Sequence, residues 1–110
     1  MTDAPLVHSL APGGDEPKQL AQAAELFKVL GAPVRLAIVV ELARAPRSVQ
    51  QLADALHVRQ PLVSQHLRVL RSARLVTADR RDRQRLYRLV DEHVRHIVTD
   101  ALRHALEQPG

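Results

Sequence analysis

Apolar residues recur along most of this chain at the spacing of a helix, in stripes separated by short breaks, and only one stretch follows another period. From Pro17 to Leu30, the residues Leu20, Ala23, Ala24, Phe27 and Leu30 share one face, with Pro17 in the first turn and Gly31 as the stop. Pro33 opens a second helix in which Leu36, Ile38, Val39, Val40 and Leu42 are apolar almost all round, so it belongs in the middle of a core; Pro46 ends it. Ser48 followed by Gln51 is a capping box, which predicts a third helix ending near Leu56 with Leu52, Ala55 and Leu56 turned inward. After a turn of His57, Val58 and Arg59, Pro61 stands at the first position of a fourth helix, QPLVSQHLRVLRSA, whose inner face is Leu62, Val63, Leu67 and Leu70. LVTAD and RLYRL then read as two strands, rich in β-branched and aromatic residues and joined by a charged loop from Arg80 to Gln84. Asp91 caps a last helix reaching Glu107, with Val94, Ile97, Val98, Ala101, Leu102, Ala105 and Leu106 as a broad apolar face.

These elements predict a mainly α fold with a small β-hairpin. Two short helices across a tight turn make a helix-turn-helix, and the hairpin after them is a wing. With 110 residues there is room for one domain, assigned to residues 17–107. Residues 1–16, with Pro5, Pro12, Gly13 and Gly14 and no periodicity, read as a flexible tail, and residues 108–110 as a second short one. Phe27 and Tyr87 are the only residues of the Phe, Tyr and Trp class, so the core rests on Leu, Val, Ile and Ala, and a homodimer would supply the burial that so short a chain lacks.

Composition narrows the chemistry. The chain has no cysteine, which excludes disulfides, thiolate metal sites and cysteine nucleophiles. No apolar run approaches the roughly 20 residues that cross a membrane, and Met1 to Leu10 lacks the basic start and apolar centre of a secretion signal, so a cytoplasmic protein is expected. Net charge is +4, but its distribution is uneven: from Arg59 to Arg88 there are nine arginines against Asp79 and Asp82 alone. Arginine forks onto phosphate and guanine. The second helix of a helix-turn-helix enters the major groove, and opposite its buried stripe this one carries Gln60, Ser64, Gln65, His66 and Arg68, with Arg71 nearer the backbone. Gln suits adenine, Arg suits guanine and Ser bonds to either, while Arg80, Arg81, Arg83 and Arg85 on the wing are placed for phosphates or the minor groove. The bland alternative for the wing is a soluble hairpin tip.

The last helix carries a second kind of chemistry. Asp91 and His93 stand at its start, His104 and Glu107 at its end, the latter pair three residues apart on one face. Eleven residues separate the two histidines, about 16 Å along the axis, too far for one ion. If a second copy of the helix packs antiparallel across a two-fold axis, Asp91 and His93 of one chain meet His104 and Glu107 of the other, twice by symmetry. Each of the two interchain sites then offers two imidazoles and two carboxylates, a set suited to tetrahedral zinc. The rival for these histidines is simple solvated i,i+4 pairing, for example of Asp100 with His96 or His104.

The run PLVSQHLRVLRSARLV at Pro61 to Val76, the segment RRDRQRLYRL at Arg80 to Leu89 and the D-x-H…H-x-x-E pattern at Asp91, His93, His104 and Glu107 together resemble the ArsR/SmtB family of metal-sensing repressors, in its zinc-sensing branch. The resemblance spans about Pro17 to Glu107. It implies a winged helix-turn-helix homodimer joined by its first and last helices, which binds double-stranded operator DNA of inverted-repeat symmetry when metal-free and is released by zinc. Branches that use cysteines near the third helix are matched here only by Ser48, Val49, Gln50 and Gln51. Two departures stand out: Asp82 occupies the wing turn where Gly is usual, yet tolerates the left-handed conformation, and Arg74 replaces a Gly after the reading helix, predicting strain or a different cap there. A metal-bound imidazole usually donates its other ring N–H, and in such a fold His104 has a backbone carbonyl near Arg74 as a partner. Competing readings are a winged-helix repressor that senses a non-metal signal or none, a sensor of nickel or cobalt drawing on His96, Asp100 or His8, and a metal-dependent hydrolase, which a closed four-ligand site disfavours.

Overall fold

A computed structural model of the protein describes residues 16–107. Five helices and one hairpin follow each other as α1 (Glu16–Leu30), α2 (Pro33–Arg44), α3 (Val49–Leu56), α4 (Gln60–Ser72), β1 (Val76–Arg81), β2 (Gln84–Leu89) and α5 (Glu92–Glu107). Glu16 already belongs to the first helix, one residue before the expected start; the remainder of the expected tail, His8 included, and residues 108–110 lie outside the described residues.

The core forms around α2, whose Ile38, Val39 and Leu42 are fully or almost fully buried, while Leu36 and Val40 on its other sides are half-buried. Leu52 of α3, Val63, Leu67 and Leu70 of α4, Leu75, Val76, Tyr87 and Leu89 of the hairpin region, and Val94 and Val98 of α5 close over it. Two expected inner residues fall elsewhere. Leu62 is 41% exposed, because the buried stripe of α4 runs through residues 63, 67 and 70 and leaves position 62 about a quarter-turn outside it. In α3 it is Ala53 rather than Ala55 that joins Leu52 in the core, while Ala55 faces solvent.

The caps match their residues. Ser48 Oγ accepts from Gln51 N at 3.1 Å while Ser48 N donates to Gln51 Oε1 at 2.8 Å, so the box at the head of α3 is complete. Asp91 caps α5 by accepting from Val94 N at 3.1 Å through Oδ1. Where glycine is missing, other residues take the left-handed conformation. His57 (φ 56°) ends α3 and Arg74 (φ 61°) follows α4, where Leu75 N donates to Leu70 O at 3.0 Å in a six-to-one closure of the Schellman type.

The hairpin is longer and its turn tighter than the sequence suggests. β1 pairs antiparallel with β2 from Val76↔Leu89 out to Arg81↔Gln84, leaving only Asp82 and Arg83 in the turn. Their φ values of 48° and 68° are those of a type I′ turn, which matches the twist of the strands. Its base is fastened to the rest of the fold by a short bridge: Arg47 N donates to Tyr87 O at 3.0 Å and Tyr87 N to Arg47 O at 2.7 Å.

Candidate DNA-reading face and metal-binding helix

One face of the molecule is assembled from α4 and the wing. Because Val63, Leu67 and Leu70 point inward, helical periodicity turns Ser64, Gln65, Arg68 and Arg71 outward, and all four are exposed, as is Gln60 in the first turn. His66 departs from that group. It is half-buried on the flank of α4 away from Ser64, and its Nδ1 lies 3.5 Å from Nη1 of Arg35, whose Nε donates to Val29 O at 2.8 Å. Arg35 thereby touches the last turn of α1 and the middle of α4 from its seat on α2. Sequence reasoning missed this contact, since Arg35 gave no signal beyond one polar position in an apolar helix.

The wing has two chemically different faces. On one, Arg88 Nε donates to Asp79 Oδ2 at 2.7 Å, and this bond holds the Asp79 carboxyl below its usual range. On the other, Arg80 stands directly opposite Arg85 in the ladder, and the Arg85 guanidinium lies 5.5 Å from the centre of the Tyr87 ring. Arg81 and Arg83, like Arg80 and Arg85, are exposed. Between this second face and α4 runs a cleft of about 430 Å³ lined by Ser64, Arg68, Arg71, Arg85 and Tyr87 among others.

The four metal-site candidates all sit on or beside α5 and are exposed. Asp91 uses Oδ1 for its cap, which leaves Oδ2 available to a cation. His93 follows in the first turn; His104 and Glu107 share the last. Among the described residues of one protomer, no three His, Asp or Glu side chains come together to hold an ion. One chain therefore does not bring the two halves of the set together. Beside the helix end lies a groove lined by Val40, Ala43 and Arg44 of α2 and by Thr99, Leu102, Arg103, Leu106 and the metal-site candidate Glu107 of α5, and Leu106 is 81% exposed.

Comparison with known proteins agrees with this architecture. Residues 32–78 match the family described as bacterial regulatory protein, arsR family. The chain is 54% identical over 92 residues to the HTH-type transcriptional repressor SmtB of Mycobacterium tuberculosis, covering 83% of this chain and 68% of the relative. It is 40% identical over 85 residues to the HTH-type transcriptional regulator NmtR of the same organism, covering 77% and 71% respectively. Among solved structures, the homodimeric winged helix-turn-helix DNA-binding domain of a possible ArsR-family regulator from Mycobacterium bovis superposes with a TM-score of 0.78 at 31% identity, covering 88% of this chain and 91% of that one. The repressor BigR of Xylella fastidiosa gives 0.72 at 33% identity, covering 87% and 97%. These relatives are regulators of transcription and not enzymes, which removes the hydrolase reading. The fold, the reading face and these likenesses together place the chain in the ArsR family of bacterial regulatory proteins, among its SmtB-like transcriptional repressors.

Proposed function

We propose that this repressor works as a homodimer that grips inverted-repeat operator DNA when metal-free and lets go when zinc binds at two interchain sites. Each site is formed by Asp91 and His93 of one protomer with His104 and Glu107 of its partner. The observation that carries the reading is the placement of these four exposed donors at opposite ends of one helix, with no ion-holding group completed among the described residues of a single chain. An antiparallel pairing of two α5 helices completes both sites at once and covers the exposed Leu102 and Leu106. The donor set fits the ion: two imidazoles and two carboxylates, all within reach of solvent, one carboxylate already oriented by its cap. Bound zinc supplies a four-way tie and no reactive chemistry.

The chain's own bonds provide a route from that tie to the DNA. Val90 N, just before Asp91, donates to Leu75 O at 3.2 Å, and Leu75 directly follows Arg74, the left-handed residue that ends α4. Fixing the start of α5 therefore biases the exit of the reading helix, and in the antiparallel dimer the outer ring N–H of His104 of one protomer, on a carbonyl near Arg74 of the other, adds a second tie. A coupling of about 1 to 3 kcal/mol is ordinary for such a switch. Nickel or cobalt in place of zinc would draw on the exposed His96 and Asp100 of the same helix. A repressor acting on operator DNA works in the cytoplasm.

The test uses His104→Ala. Metal-free binding to a duplex selected from random sequences is expected to stay within about twofold of wild type, while release by zinc, followed by fluorescence anisotropy, disappears; an undiminished zinc response removes the proposal.

A further inference from the structure

The cleft between α4 and the wing has more positive charge than its neighbours can balance. Ser64, Arg68 and Arg71 recur at i, i+4 and i+7 on the flank of α4 that faces the wing, and with Arg85 and Tyr87 they line one cleft. Arg80 and Arg85 are directly opposed in the antiparallel ladder and so share this face of the wing. Like charges in that relation destabilise a hairpin unless an anion sits between or beside them. The carboxylate within the strands, Asp79, is bonded to Arg88 on the opposite face, at 2.7 Å, and does not neutralise this one. Arg85 is also held in place, its guanidinium 5.5 Å from the Tyr87 ring, and Tyr87 is buried and fixed by its two backbone bonds to Arg47.

We infer that this cleft is a binding site for one backbone phosphate of DNA in each half-site, bridged between the reading helix and the wing by Arg68, Arg71 and Arg85, with Arg80 adding its field. The inference rests on the repressor reading and sharpens it. Arg68, which by sequence alone is a candidate to read guanine, becomes a phosphate ligand with Ser64 beside it in the cleft, and base reading falls to Gln60 and Gln65. Several guanidinium forks converging on one diester give charge-assisted hydrogen bonds without sequence choice. Tyr87 acts as a positioning residue that keeps Arg85 ordered before DNA arrives.

The experiment uses the full chain, metal-free, with a duplex selected from a random library and a random-sequence duplex of equal length. Single linkages of the selected duplex are replaced by neutral methylphosphonates. In wild type, one linkage per half-site is expected to cost roughly tenfold in affinity when neutralised. In Arg68→Ala and in Arg85→Ala, both at exposed positions that leave the fold intact, that same replacement is expected to cost little further, and each variant weakens both duplexes alike and lowers the salt slope by about one. Arg85→Lys, which keeps the charge, recovers most of the salt slope. Independent losses, with the methylphosphonate effect undiminished in the variants, overturn the inference, as does relaxed base preference at one position in Arg68→Ala. Both outcomes leave DNA binding standing. A wild-type chain that enriches no duplex overturns the repressor reading and the clamp together.

Discussion

At the scale of single residues, the wing turn shows how local strain and function meet. A type I′ turn needs φ > 0 at both central positions, a need met most easily by Asn-Gly or Asp-Gly, yet here the pair is Asp82 and Arg83. Arg83 carries a side chain in a conformation that costs an L-residue about 1 kcal/mol. Arg83→Gly is therefore expected to stabilise the metal-free protein by about that amount, read as a raised thermal midpoint, while weakening its grip on DNA. An unchanged or lowered midpoint contradicts the turn. The same position explains a limit of sequence reading. Resemblance marks Asp82 as a left-handed turn position, and its φ of 48° agrees, but without a glycine nothing marks Arg83 as its partner, so the sequence predicts a longer loop from Arg80 to Gln84. The departure at Arg74 was legible because its neighbours resemble a family in which glycine stands there, and the predicted strain is present as φ 61°. His57, equally left-handed, gave no such signal, and Arg35 and His66 meet only because the fold brings α2 against α4.

At the scale of elements, caps and stripes were legible because both depend on neighbours within one turn. Ser48 and Gln51, and Asp91 ahead of Val94, close the helix starts that their spacing predicts. Removing the first, by Ser48→Ala, is expected to cost about 1 kcal/mol, measured by urea denaturation, with most of the loss in the helix-turn-helix. No loss would mean that packing alone holds α3. Spacing does not reveal the exact phase of each buried stripe, so the sequence alone puts Leu62 inside and passes over Ala53. The bridge between Arg47 and Tyr87 was out of reach for another reason: it joins residues 40 positions apart, and no local pattern encodes such a pairing.

At the scale of the whole molecule, α1 and the second half of α5 lack cover. Phe27 is 60% exposed, and Leu20, Leu102 and Leu106 are exposed beside it in kind, although their spacing is that of buried faces. A second protomer packed on these faces, as proposed, would resolve the mismatch, and the sequence points to it through helices with more apolar face than one chain can bury. Leu106→Glu leaves the core of a protomer untouched and is expected to raise the dimer dissociation constant at least roughly tenfold by sedimentation, with operator affinity falling in step. A dimer unaffected by that change would have its seam elsewhere. The four proposed donors come from a pattern as local as the caps, spaced along one helix; that they hold a metal, and meet across two chains to do so, is the proposal.

That meeting is tested most directly by mixing two defective chains. One carries Asp91→Ala with His93→Ala, the other His104→Ala with Glu107→Ala, so either homodimer lacks half of every site. A heterodimer with interchain sites contains one site with all four donors and one with none. Purified through different tags and titrated with cobalt as a spectroscopic stand-in for zinc, it is expected to show tetrahedral bands saturating at one ion per dimer, where the homodimers show none. A heterodimer as silent as its parents would contradict the shared site.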